Sequence, residues 1–180
     1  MIHPTVKYYT INIPTKPYLK KYLVAKYGSP VELNYNTLLG SSVLLALSKT
    51  IPSDTSDFKK DIRYRSFSEL VWFKIPKSQV NSYRHGLNIS RTHIIALNRY
   101  FELEFEEYMF NFCNFEMMKR NLPTRKKALE LFAENIGLEI EEDITFECLK
   151  KTDYRTSLKF KGFPDSFVPK GIYAVQPSLF

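Results

Sequence analysis

Between Ser90 and Asn121 the chain runs 30 residues without a proline or a glycine: RTHIIALNRYFELEFEEYMFNFCNFEMMKR. Apolar side chains recur there by threes and fours, at Ile94, Leu97, Phe101, Phe105, Tyr108, Phe112 and Phe115. That period places them along one face of a helix. Asn88 or Ser90 can cap its start, and the rod should be about 45 Å long at 1.5 Å per residue. Glu102, Glu104, Glu106 and Glu107 fall largely to the other side. A stripe of rings this long has to be covered. The rest of the chain covers it, making this the central scaffold helix, or a second copy does, making it a dimer seam.

The segments before it alternate strand and helix signals. Val6–Ile13 is rich in β-branched and aromatic residues and reads as a strand ended by Pro14. Thr15 is placed to cap a helix through Tyr27, with Pro17 tolerated in its first turn and Gly28 as its stop. Val31–Asn34 is a short strand candidate. Asn36 can cap a helix over Thr37–Lys49 that is apolar on nearly every side and is therefore expected to be buried. Ile51–Asp57 is a loop. Ile62–Ile75 alternates for much of its length and predicts a second long strand, stopped by Pro76 and followed by a short helix to His85 and Gly86. The two strand–Ile-Pro–helix–Gly stretches, 62 positions apart at the Ile-Pro, allow either a duplicated unit or coincidence.

After the long helix, Asn121–Leu122–Pro123 is a break and Thr124 caps a helix whose apolar side is Ala128, Leu129, Phe132, Ala133 and Ile136, ended by Gly137. Asp143 can cap a further helix from Ile144 to Tyr154 or beyond, or Thr145 can cap it one turn later, with Phe146 and Leu149 facing inward. Ala133 and Gly137 stand in the Ala-x-x-x-Gly relation of DNA-reading helix-turn-helix units, where alanine permits close helix packing and glycine a left-handed turn. The linker Leu138–Asp143 is longer than such units use, and Glu139, Glu141 and Glu142 repel phosphate. Lys150, Lys151, Arg155, Lys159 and Lys161 follow that acid cluster. They suit phosphate contacts, and equally they complement the dipole at a helix end. From Gly162 three prolines forbid a long helix, yet Phe163, Phe167, Tyr173 and Phe180 make the tail too apolar to be idle. These four are candidate partner-binding residues.

The expected fold is α-rich α+β: a small sheet with helices over residues 1–89, a helical part with a helix-turn-helix-like pair over 90–161, and an extended apolar tail over 162–180. Charge divides along the same line. Residues 1–90 hold 13 Lys/Arg against 5 Asp/Glu, whereas residues 91–180 hold 13 against 14. A basic half favours a polyanion through counterion release, and DNA is the expected one. Its cations interleave with aromatics. Lys20 and Lys21 lie between Tyr18 and Tyr22, and Arg63 and Arg65 flank Tyr64, so phosphate contact with base stacking is one reading. The other is a packed tyrosine face with lysines snorkelling beside it.

Enzyme chemistry finds no foothold. The carboxylates lie on solvated helix faces without a histidine partner, the serines have no nucleophile-elbow context, and none of the 6 glycines forms a phosphate-cradling loop. His3, His85 and His93 stand at no ligand spacing from Cys113 or Cys148, so no metal and no cofactor is expected. The two cysteines read as buried thiols rather than a disulfide. No bilayer-length apolar run and no signal-peptide pattern occurs, so the expected location is the host cytoplasm, or a virion assembled there.

The strings YYTINIPTKPYLKKYLVAKYG and ALELFAENIGLEIEEDITFECLKKTDYR resemble small basic proteins of bacteriophages and mobile elements in gut anaerobic bacteria. The stretch THIIALNRYFELEFEEYMFNFC between them resembles the same group more loosely, and the tail after Lys161 lies outside it. The resemblance implies a setting rather than a chemistry and carries over no functional residues. It favours a regulatory or DNA-transaction role and admits a virion part. Two functions are therefore expected: a non-enzymatic DNA-binding protein, or a structural or assembly subunit using the aromatic helix and the tail for contacts with itself or another protein.

Overall fold

The computed structural model describes residues 8–48, 66–79 and 87–161. The elements in chain order are β1 (Tyr8–Thr15), α1 (Pro17–Tyr27), β2 (Val31–Glu32), α2 (Leu38–Leu45), β3 (Leu47–Ser48), β4 (Glu69–Pro76), β5 (Asn88–Ile89), α3 (Arg91–Arg120), α4 (Arg125–Asn135) and α5 (Phe146–Lys161). This is an α-rich α+β protein. It divides into two compact units, Met1–Phe101 and Glu102–Phe180, with the boundary falling inside α3. The helix expected after Pro76 begins at residues 77–79, and its continuation to His85 lies outside the described residues, as do the Ile51–Asp57 loop, Arg63, Arg65 and the tail residues Phe163, Phe167, Tyr173 and Phe180.

The first unit is built on a three-stranded sheet of order β1-β4-β2. β1 and β4 pair antiparallel over eight positions, from Tyr8↔Pro76 to Thr15↔Glu69, and β2 adds in parallel through Val31↔Phe73. Alternation sends Ile11, Ile13, Val71, Phe73 and Ile75 to the core, where Leu19, Tyr22 and Leu23 of α1 are fully buried. Phe73 stacks on Phe101 of α3 at 6.2 Å between ring centroids.

Several sequence expectations are corrected here. Pro14 does not end β1, which continues to Thr15. β1 is an edge strand, where a residue lacking an N–H is tolerated. The Pro14 carbonyl is also occupied, accepting from Asn98 Nδ2 at 2.8 Å. Thr15 does not cap α1. It is buried, and its Oγ1 donates to Asn98 Oδ1 at 2.7 Å. Lys16 takes the cap position without a side-chain bond, while Pro17 and Gly28 act as expected. β4 begins at Glu69 rather than Ile62 and includes Pro76, which was expected to stop it, and β2 ends at Glu32 rather than Asn34.

α2 differs most. Thr37, not Asn36, is its cap, with Oγ1 accepting from the Gly40 N–H at 3.0 Å. The helix stops at Leu45 because Leu47–Ser48 turns into a strand pairing with Asn88–Ile89. It is not buried all round: Leu39, Val43 and Leu44 are inside, but Leu38 and Leu45 are 69% and 66% exposed. Gly40 is required where it stands, since a Cβ there would overlap the Asn34 backbone.

α3 spans the expected residues, and the Ser90 hydroxyl caps it by accepting from the His93 N–H at 3.2 Å. Ile94, Leu97, Phe101 and Phe105 are buried, so the fold itself covers that part of the stripe. The stripe then drifts: Met109, Phe110 and Cys113 are buried, whereas Phe115 is 58% exposed. A long straight helix has 3.6 residues per turn, so one row of threes and fours cannot face one neighbour indefinitely.

Candidate nucleic-acid interface

The second unit holds the helix expected to touch DNA. Thr124 caps α4, accepting from the Lys127 N–H at 3.4 Å, and Ala128, Leu129, Phe132 and Ala133 are buried as expected. Phe132 sits among Phe105, Phe112 and Tyr108, with centroids at 5.5, 5.7 and 6.0 Å. Gly137 takes the left-handed conformation (φ 67°) that ends α4.

The chain then needs the residues up to Thr145 to reach α5. Of the two expected caps, Thr145 serves, its Oγ1 accepting from the Cys148 N–H at 3.2 Å. Asp143 instead closes the linker by accepting from the Glu139 N–H at 2.7 Å, and Glu141 accepts from the Phe146 N–H at 3.0 Å. Two of the four linker acids, Asp143 and Glu141, thus accept from backbone donors, and Glu141, bonded to the first residue of α5, places its negative charge at the positive end of that helix, where it is stabilising.

α5 has one line facing in: Leu149, Asp153, Thr156 and Phe160. Phe160 stacks flat on Phe110 at 4.9 Å. Asp153 is buried because Arg125, at the start of α4, reaches across to it. Arg125 Nε donates to Asp153 Oδ2 at 2.9 Å and Nη2 to Oδ1 at 2.5 Å. Its Nη1 donates to Asn114 Oδ1, and the guanidinium lies over the Phe110 ring. One cation thereby ties α3, α4 and α5 together. Sequence reading missed this pair. The available signal was a cation in the first turn of a helix, which opposes the dipole and so calls for an acidic partner.

With that line inside, a rotation of 100° per residue turns Lys151, Tyr154, Arg155 and Leu158 outward. Lys151 and Arg155 are exposed, Tyr154 is 57% exposed, and neither cation is held in an ion pair among the described residues. Lys150 and Lys159 fall on opposite flanks and are engaged. Lys150 Nζ donates to Glu147 at 2.9 Å, and Lys159 Nζ to Glu106 at 2.7 Å. The Lys150 bond holds the Glu147 carboxyl below its ordinary range, with the Lys150 and Lys151 charges adding to it. The outer face is thus two cations around a tyrosine; Lys150 and Lys159 are held at its sides.

The remaining candidates lie in the first unit. Lys20 Nζ donates to Glu69 at 2.7 Å, and Lys21 is half-buried on α1. Tyr22 is fully buried, and Lys26 donates to its hydroxyl at 3.0 Å while lying over the Tyr22 and Tyr27 rings. On α1 the interleaved lysines and tyrosines are therefore largely satisfied by one another.

The cysteines divide. Cys113 is buried, and desolvation pushes its thiol from 9.0 up to about 12, partly opposed by the Arg125 charge and reinforced by Asp153. Cys148, expected to be buried, is exposed on α5. An aromatic disulfide reagent should therefore titrate one thiol in the native protein at pH 8 and two in guanidinium; two fast native thiols would contradict this packing. Because Cys113 is held protonated in the folded state, its contribution to stability is full below about pH 9 and is lost as pH rises toward 12.

Among the described residues no group of three or more His, Cys, Asp or Glu could hold a metal ion, and no helix is long and apolar enough to cross a membrane. No protein-family model matches this chain, and neither does any curated protein or solved structure.

Proposed function

We propose that this protein is a non-enzymatic DNA-binding protein that lays the outer face of α5 on the duplex, with Lys151 and Arg155 contacting phosphates and Tyr154 between them. The observation that carries this is the division of labour on α5: its inner line is fixed by the buried Arg125–Asp153 pair, while two cations are held outward on a preformed helix. A rigid helix whose cations are already oriented loses little freedom on binding. The basic residues of the first half add non-specific attraction for the same polyanion. A phage or mobile-element setting and a regulatory role rest on the sequence resemblance alone.

Fluorescence anisotropy of a labelled duplex at two salt concentrations tests the reading. Wild-type protein should bind at micromolar concentration or tighter and weaken steeply with salt. Lys151→Ala/Arg155→Ala should reduce the slope of log affinity against log salt by about 2, roughly one per phosphate contact. An unchanged slope and affinity would remove α5 from the interface, and no binding at low salt would reject DNA binding altogether.

The second reading, an assembly subunit, is favoured by Phe115 and Met118, which are 58% and 55% exposed one turn apart on α3. A defined higher oligomer in sedimentation, dispersed by Phe115→Ser/Met118→Ser, would support it.

A further inference from the structure

The outer face of the sheet breaks the usual pattern of apolar inside and polar outside. With Ile11, Ile13, Val71, Phe73 and Ile75 in the core, the opposite side of β1 and β4 carries Tyr8, Leu70 and Trp72, which are 45%, 44% and 49% exposed. Register orders them. Trp72 lies opposite Asn12, Lys74 opposite Thr10, and Tyr8 opposite Pro76. Lys74 therefore stands between the two rings, its ammonium 5.7 Å from the Tyr8 centroid. At about 3.3 Å per residue, four strand positions separate the rings by roughly 13 Å.

We infer that this face is a second, independent binding site, for single-stranded DNA, in which bases stack on Trp72 and Tyr8 and Lys74 contacts the phosphate between them. Every base has a π-face, so ring platforms with an interposed cation bind single strands without reading sequence. A duplex offers no such faces, because its bases are stacked on one another. Charge complementarity selects this occupant over an apolar protein segment, since a cation sits within the ring row and residues 1–90 carry an excess of eight positive charges. Thr10 and Asn12 add exposed hydrogen-bonding groups on the same face. One group opposes the site. Glu32 of β2 lies 3.7 Å from Lys74 Nζ and competes with phosphate for it. The inference does not rest on the α5 reading, because it uses other residues and another form of DNA.

The chain has a single tryptophan, so intrinsic emission reports this face alone. Titrating the full-length protein with unlabelled oligo(dT) at low salt should quench Trp72 emission saturably and protect it from iodide. Anisotropy of labelled oligo(dT) should weaken on the order of 10-fold for Trp72→Ala and for Tyr8→Ala. Glu32→Gln should bind more tightly than wild type, a gain that a folding defect cannot imitate. Lys151→Ala/Arg155→Ala should leave the quenching intact, which separates failure of this site from failure of the α5 interface. Unchanged emission at saturating oligo(dT), or a neutral Glu32→Gln, overturns the site. Tighter binding of oligo(rU) than of oligo(dT) overturns its assignment to DNA.

Discussion

Arg125→Ala should destabilise the second unit by about 3–5 kcal/mol, the usual cost of stranding one member of a buried ion pair. The side chains of Arg125 and Asp153 are only 11% and 8% exposed, so water cannot replace the lost partner. Asp153 would keep a desolvated carboxylate with no cation, and Asn114 Oδ1 and the Phe110 carbonyl would each lose a donor. Urea unfolding followed by far-ultraviolet circular dichroism measures the loss. The pair itself is a different matter. Desolvating two charges cancels much of their attraction, so Arg125→Met/Asp153→Leu should recover most of the stability that Arg125→Ala loses. A single variant within about 1 kcal/mol of wild type would mean that the pair is solvated and does not fix α5. A stable double variant that still binds duplex would separate the pair's structural role from the interface it supports.

How much of this was legible in the sequence depended on whether a property is local. The limits of α3, the Thr124 cap and the buried side of α4 follow from neighbouring residues: side-chain oxygens before a helix, a period near 3.6, and Asn-Leu-Pro or glycine after it. What failed depended on partners distant in sequence. Pro14 is a stop only if its missing N–H is missed, and pairing β1 at a sheet edge removes that need. Thr15 looks like a cap until Asn98, 83 residues away, claims its hydroxyl. α2 is apolar all round, yet the strand after it cuts it short and leaves Leu38 and Leu45 outside.

The candidate site divides in the same way. Basic residues on α5 could be listed from sequence, but sorting them into outward cations (Lys151, Arg155) and engaged ones (Lys150, Lys159) required the line facing in, which Asp153 helps define. Asp153 in turn is inside only because of Arg125, 28 residues earlier. The Tyr8–Lys74–Trp72 row is another product of pairing. Its members are 64 or more residues apart on β1 and β4, apart from Trp72 and Lys74, and only the antiparallel register makes them neighbours.

The second large effect is expected at Phe132. Phe132→Ala should cost about 3–5 kcal/mol, because it removes a fully buried ring and leaves a cavity that its neighbours fill poorly. Those neighbours are Phe105, Phe112 and Tyr108, three rings on α3 within 6.0 Å of it. Rings of that size cannot close a void by small rotations in a packed interior. Phe132→Leu, which keeps more of the volume, should cost clearly less in the same urea titration. The comparison also bears on the long helix. If α4 covers the aromatic stripe from within the chain, the alanine variant should lose stability to the same extent at every protein concentration. Were the stripe instead covered by a second copy, wild-type stability would rise with protein concentration, and Phe132→Ala would change that dependence rather than the intrinsic stability. The placement of Phe105 and Phe132 in one buried cluster predicts the first result.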